Sequence, residues 1–320
     1  MAEAVAVGER PRLGLRPGWA QDYGVYLALL VILVINLAIT DNFVSTGNLR
    51  TQLIQVVPVV VVGLGMALVI GTEGIDLSVG SVMALSSAIL PLYLGYGFGT
   101  AILFGLVAGV LVGLLNGWLV AVIGVQPIVA TLALLVGGRG LALVLSGGQQ
   151  KTIRDPNLIG FGTNELAGIP YIVLLAVVLT LLTGFVVRRT LFGRRLVAIG
   201  GNRLAAELAG LPVRRILITV YVICGLLAAL AGIIATARLG ASTPNNIGLN
   251  IELAAITAVV VGGTPLSGGR VRVLGTVAGA LLMQLIRSTL IAHDLQDSVA
   301  QMVQAAIILI AVYAQRGRKS

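Results

Sequence analysis

LSVGSVMALSSAILPLYLGYGFGTAILFGLVAGVLVGLLNGWLVAVIGVQPIVATLALLVGG, residues 77–138, runs for 62 positions without one charged side chain. A helix rises 1.5 Å per residue and the hydrocarbon core of a bilayer is about 30 Å thick, so one crossing takes roughly 20 apolar residues. The run is long enough for three crossings, with breaks expected near Gly95, Gly97, Asn116, Gly117, Gln126 and Pro127. The gaps between charges on either side give further apolar segments. Tyr23–Thr40 and Thr51–Thr72 precede the run, and Ala167–Val187, Ile216–Ala237, Ala254–Gly269, Val273–Ile286 and Ser298–Gln315 follow it. The expected fold is all-α: a polytopic membrane protein of about ten transmembrane or partly crossing helices. Between 254 and 286 the uncharged runs are short, and one segment there is expected to enter without fully crossing.

The composition agrees. Hydrophobic residues make up 58% of the 320 positions and charged residues only 10%, against about 25% charged in soluble domains. The net charge of +9 falls in short clusters between apolar runs, a distribution suited to lipid headgroups and not to nucleic acid. The densest cluster lies in a loop at 188–215, where Arg188, Arg189, Arg194, Arg195, Arg203, Arg214 and Arg215 face only Glu207. Such an excess predicts a cytoplasmic loop. Six segments before it and four after it place it on one side with an N-terminal tail, 1–22, carrying Arg10, Arg12 and Arg16, and with a basic tail at 316–320. Both termini are therefore expected in the cytoplasm, flanking a transmembrane domain at 23–315. The lone Cys224 allows no disulfide within one chain, and the surroundings of His293, Asp294 and Asp297 read as a short connection between late helices with no metal-site spacing.

Two polar interruptions stand out. In Gly71-Thr72-Glu73-Gly74-Ile75-Asp76-Leu77-Ser78-Val79-Gly80-Ser81, two carboxylates break an apolar frame. A charge in hydrocarbon costs at least a few kcal/mol, so these groups require an interface, a polar partner or a wet path. A broken helix exposing amides near Ser78–Gly80 fits, and so does a tight turn at the membrane surface with Asp76 or Ser78 capping the next helix. Gly262-Gly263-Thr264-Pro265-Leu266-Ser267-Gly268-Gly269-Arg270 begins in a similar way after another Val-rich run and suggests a duplicated element. Candidate translocation or gating junctions are thus Glu73, Asp76, Ser78, Gly80 and Asn116 in the first half, and Thr264 and Ser267 in the second. Glu252 reads as a carboxylate at a helix start. Gly105, Gly109, Gly113 and Gly117 recur every four residues and form one smooth helix stripe for close packing, within one bundle or between subunits; Gly275 and Gly279 repeat the device once.

Leu145-Ser146-Gly147-Gly148-Gln149 spells the signature loop of transporter ATPases, but that loop works only beside a phosphate-binding Gly-x-x-x-x-Gly-Lys motif. The chain has two lysines, Lys151 and Lys319, and neither follows such a pattern. With no phosphate clamp in this chain, energy must come from elsewhere: a partner ATPase or an ion gradient.

The chain resembles the permease subunits of bacterial ABC importers for monosaccharides, the family of the ribose, xylose and galactofuranose permeases. The likeness runs from about Asp22 to Tyr313. It is carried by Gly74-Ile75-Asp76-Leu77-Ser78-Val79-Gly80-Ser81, by Asn116-Gly117 through Ala130-Thr131-Leu132 to Arg139-Gly140, and by Ile256-Thr257-Ala258 through Gly262-Gly263-Thr264 to Gly268-Gly269. The resemblance implies a type II importer-like architecture in the bacterial cytoplasmic (inner) membrane. It also implies a second permease subunit, identical or a close relative, a cytoplasmic ABC ATPase that binds ATP and Mg, and an extracytoplasmic sugar-binding protein, with no cofactor held by this chain. Gly200–Leu211 is then the helix that couples to the ATPase, with Asn202, Arg203, Ala206, Glu207, Ala209 and Gly210 as its key positions. Asn202 also reads independently as a helix cap, with Gly210 and Pro212 as the stop. These sugar permeases commonly have Gly-Gly-Ile-Asp where this chain has Glu73-Gly74-Ile75-Asp76. Amino-acid permeases share the architecture, and an ion-coupled transporter using Glu73 or Asp76 is the remaining alternative.

Overall fold

The computed structural model describes residues 19–316. The tail arginines Arg10, Arg12 and Arg16, and Arg318 and Lys319 at the other end, lie outside the described residues. Among the described residues thirteen α-helices follow in order: α1 (Trp19–Ile39), α2 (Thr46–Gly71), α3 (Val79–Tyr93), α4 (Phe98–Trp118), α5 (Pro127–Ser146), α6 (Pro156–Thr163), α7 (Tyr171–Arg189), α8 (Leu191–Gly201), α9 (Arg203–Leu208), α10 (Val213–Leu239), α11 (Ile251–Val261), α12 (Val273–Ala292) and α13 (Asp297–Arg316). A 3-10 turn, Leu94–Tyr96, extends α3 and a π turn, Leu119–Ile123, extends α4. Seven helices, α2, α3, α4, α5, α7, α10 and α12, are long and apolar enough to cross a membrane, while α1, α11 and α13 contribute shorter apolar stretches. These make up the ten segments expected.

Local chemistry sets the boundaries. Ser45 starts α2 by accepting from the Asn48 amide at 3.3 Å, and Asp155 starts α6 by accepting from the Leu158 amide at 2.8 Å. Gly147 and Gly240, with φ of +65° and +60°, end α5 and α10 in the left-handed conformation that costs glycine nothing. The apparent ATPase signature at 145–149 is this helix end: Gly147 and Gly148 donate to the carbonyls of Val144 and Leu143.

Charge gaps misplace several boundaries. Helix α5 continues through Arg139 to Ser146, and α12 continues through Arg287 to Ala292. The segment expected at Ala167 begins at Tyr171, because Glu165–Leu166 and Ile169–Pro170 pair as a small antiparallel hairpin. The segment expected at Ala254–Gly269 is helical only as α11, whose 11 residues span about 16 Å, roughly half a bilayer. It is the short member foreseen in this region, and 262–272 forms an irregular connection. Within the expected coupling helix, Gly200 and Gly201 belong to α8, and only Arg203–Leu208 forms α9.

Helices α2 and α10 form the centre, with 78% and 67% of their spanning windows buried, against 22% for α4, α5 and α7, which form the shell. Helices α4 and α10 share the most extensive contact. A methyl group added at Gly113 would lie 2.8 Å from Val222 Cα, and one at Gly117 would lie 2.8 Å from Ile218 Cα, while Gly109 faces Gly225 and Ala229. Three glycines of the stripe are thus met by backbone of the same chain, and Gly105 by the Ile233 side chain. Gly275 and Gly279 admit α11 to α12 in the same way, against Gly262 and Ala258.

The two ends of the bundle differ. At the arginine-rich end, Gly269 donates to the Gly71 carbonyl at 3.1 Å, and Gly200 of α8 packs against both. At the opposite end, Lys151–Thr152 pairs with Ala241–Ser242, the Ser242 hydroxyl donates to the Ser87 carbonyl at 2.7 Å, and Arg50 forms an ion pair with Glu165.

Candidate translocation junction

Both polar interruptions open with the same device. After α2, the Glu73 amide donates to the Ile70 carbonyl at 2.9 Å and the Gly74 amide to the Val69 carbonyl at 3.1 Å. After α11, the Gly263 amide donates to Val260 at 2.9 Å and the Thr264 amide to Val259 at 3.1 Å. In each case the residue at the turn is left-handed, with φ of +65° at Glu73 and +88° at Gly263. These paired bonds satisfy carbonyls that a helix end would otherwise leave bare. The extra carboxylate at 73 is therefore carried on a strained cap, and its side chain is exposed.

Beyond the first cap the chain turns back into the bundle and buries Asp76 completely. Its Oδ1 accepts from the Ser78 amide at 2.9 Å and the Ser78 hydroxyl at 2.6 Å. Asn116 of α4 donates to the Ser78 hydroxyl oxygen at 2.8 Å. Thr131 of α5 donates toward the Ile75 carbonyl at 3.3 Å, and Ser81 donates to the Leu134 carbonyl at 2.9 Å. Tyr221 and Cys224, near the middle of α10, complete the surroundings of the carboxyl. Asp76 thus orders the break itself, bonding Ser78 two residues on, and Ser78 begins α3 with no side-chain cap of its own.

Gly80 opens onto a second polar group. Arg139 of α5 donates to the carbonyls of Pro244 and Ile247, both at 2.8 Å, and toward Gly80 at 3.4 Å. The first two bonds satisfy irregular backbone packed within the bundle, which is the condition under which such backbone is tolerated at membrane depth. Glu252, in the first turn of α11, attracts Arg139 electrostatically, and a methyl group at Gly80 would lie 2.6 Å from Glu252 Oε2. Asp76 Oδ2, Asn116 Oδ1, Tyr221 OH and Glu252 Oε2 are buried without a hydrogen-bond partner among the described residues. Unspent capacity of this kind is rare in protein interiors, and here it collects around two interrupted helices.

Asp76, Ser78, Gly80 and Asn116 are therefore neighbours. Glu73, Thr264 and Ser267 lie elsewhere, at the arginine-rich end: Gly268 packs on the Glu73 backbone, Thr264 accepts from the Arg272 amide at 2.9 Å, and Ser267 is exposed. Sequence reasoning missed Arg139, Tyr221 and Cys224 as members of the junction. The signal for Arg139 was present, since apolar residues continue for two turns on both sides of it. Among the described residues no three metal-ligating side chains gather.

Residues 48–312 match the family described as the branched-chain amino acid transport system permease component. The chain belongs to this permease family. The permease is 38% identical to the galactofuranose transporter permease of Escherichia coli K12 over 310 residues, covering 94% of this chain and 91% of the relative. It is 37% identical to the ribose import permease of the same organism over 300 residues, covering 92% and 93%. It is 36% identical to the fructose import permease of Bifidobacterium longum over 270 residues, covering 82% and 76%. No solved structure gives a significant match to the permease.

Proposed function

We propose that this permease is the membrane-spanning subunit of an ATP-driven importer, passing a monosaccharide handed over by an extracytoplasmic binding protein. The observation that carries the reading is the end-to-end similarity to permeases named for galactofuranose, ribose and fructose. The broader family description names amino acids. In the proposed orientation the 188–215 loop and both termini are cytoplasmic, as the arginine excess requires. Two permease subunits flank the path, and a partner ATPase binds ATP and Mg.

Helix α9 is the proposed coupling element. Asn202 caps it by accepting from the Ala205 amide at 2.9 Å, and Arg203 and Glu207 pair across one turn at 3.2 Å. Gly210, with φ of +75°, ends it, as the Leu211 amide returns to the Ala206 carbonyl at 3.0 Å. Ala206 is buried, whereas Leu204 and Leu208, four residues apart, are 67% and 81% exposed. A short capped helix with an apolar pair facing outward is suited to fit a groove on a partner. ATP binding would move it as a unit and bias the permease between outward and inward states, with direction set by different sugar contacts in each.

The test is uptake by vesicles containing the permease, its ATPase and the binding protein. Uptake should require ATP hydrolysis and survive dissipation of ion gradients. Leu208→Asp should uncouple hydrolysis from uptake while leaving the permease in the membrane. One observation favours a second reading: Asp76 and Glu252 each keep a buried oxygen without a hydrogen-bond partner among the described residues, as an ion-coupled carrier would need. Uptake by the permease alone, lost when the ion gradient collapses, would decide for that alternative.

A further inference from the structure

A polar ladder lies between α2 and α12, away from both breaks. Along α2, Asn48, Gln52 and Gln55 recur at spacings of four and three, so they share one helix face. The Gln284 amide of α12 donates to Gln52 Oε1 at 3.1 Å and to Gln55 Oε1 at 2.7 Å. Gln52 in turn donates toward Asn48 Oδ1 at 3.3 Å and to the hydroxyl of Ser288, one turn along α12. Every one of these bonds joins neutral groups. Arg238 of α10, the cation that reaches this part of α2, is engaged elsewhere: it donates toward the Ile54 carbonyl at 3.4 Å, which Pro58 leaves without its helical donor.

The depth of the ladder bears on its role. Helix α12 has 20 residues and spans about 30 Å, the thickness of the hydrocarbon core. Gln284 stands about 16 Å from its start and about 12 Å from its end. The three amides therefore meet near mid-membrane, the depth at which many carriers hold their solutes. Gln52 is buried, but Gln55 is exposed, as is Thr51 one turn before it. An amide turned toward hydrocarbon forfeits its hydrogen bonds with water at a cost of about 2–7 kcal/mol, which favours a wet path along this flank of α2. A carboxamide offers two N–H donors and a carbonyl acceptor, and a sugar hydroxyl both donates and accepts, so the two match without any charge. We propose that Gln55 and Gln284 form a selectivity station on the solute path, where hydroxyls of a neutral sugar replace the Gln55–Gln284 bond in transit. Exchanging one neutral hydrogen bond for another changes the free energy little, so the sugar is recognised without being trapped. The station rests on the sugar-importer reading, and its wetness can be measured apart from that reading.

The test uses the full complex of permease, ATPase and binding protein in vesicles. Cys224 is buried, so a cysteine introduced at an exposed position can be followed with a charged, membrane-impermeant methanethiosulfonate reagent. Gln55→Cys should react at least about ten-fold faster than Leu111→Cys, on the exposed apolar flank of α4, because a charged reagent is excluded from hydrocarbon. Labelling no faster than at Leu111→Cys would overturn the station, whether lipid or a second subunit covers the amide. Uptake is then measured with labelled D-ribose, D-fructose and L-arabinose. Gln55→Leu should lower uptake of the transported sugar about ten-fold, the loss of one hydrogen bond to a polar solute, while the unfolding midpoint of the permease holds. Gln55→Asn, which keeps the donors and the acceptor, should recover part of that loss. Full uptake in Gln55→Leu would overturn the station even with Gln55→Cys labelled, since the path would then be wet without contact. A wild-type complex that takes up none of the three sugars would sink the importer reading and the sugar assignment with it, whereas the labelling rates would still report a wet path at Gln55.

Discussion

The two breaks, after α2 and after α11, share a cap but diverge within three residues. Each leaves its helix through a left-handed residue and the same pair of returning amide bonds. After the first, the chain turns inward and buries Asp76 against α4 and α10; after the second, it stays at the arginine-rich end, with Ser267 and Arg270 exposed. The comparison separates two jobs. The cap ends a helix at depth without bare carbonyls, and the residues that follow decide whether the break becomes a polar junction or a surface loop. Position 73 shows how loosely the first job constrains chemistry, since a glutamate holds there the conformation that Gly263 holds in the other break.

The largest expected effect probes the second job. Asp76→Leu removes the acceptor for both the amide and the hydroxyl of Ser78, at about 1–3 kcal/mol for each buried group left unpaired, and should abolish folded protein in a thermal-unfolding assay in nanodiscs. Asp76→Asn keeps that acceptor, so the fold should persist while uptake falls at least about ten-fold if the carboxylate itself serves the path. Normal uptake in the Asn variant would reduce the junction to scaffolding. Next in size, Gly263→Ala should cost about 1–2 kcal/mol by forcing a side chain into the left-handed region. Glu73→Gly should return about 1 kcal/mol for the same reason. Unfolding midpoints that moved in the same direction for this pair would show that the caps are not equivalent. Smallest of all, Ser267→Ala should stay within about 0.5 kcal/mol, so a larger loss there would mean that the second break has buried chemistry of its own.

The ten segments were legible because hydrophobic length is the strongest signal a membrane chain carries. The boundaries were less so, because a charge was read as an end. Arg139 lies inside α5 because its guanidinium is satisfied by the carbonyls of Pro244, Ile247 and Gly80, more than a hundred residues away in the first two cases, and no local pattern reports such partners. Asp76, Ser78 and Asn116 could be singled out as polar anomalies, but their meeting depends on how α4 packs against the break. Thr264 and Ser267 share only the cap with that group, because the chain after Gly263 stays at the arginine-rich end. Helix α8 is not legible in the sequence because its apolar residues are interleaved with Arg194 and Arg195.

The seam between α4 and α10 has a mechanical consequence. With Gly109, Gly113 and Gly117 seated directly on the opposing main chain, neither helix can slide along the other without driving backbone into backbone. The pair behaves as a girder, and in the proposed transport cycle the flexing that admits a solute falls to the interruptions beside it.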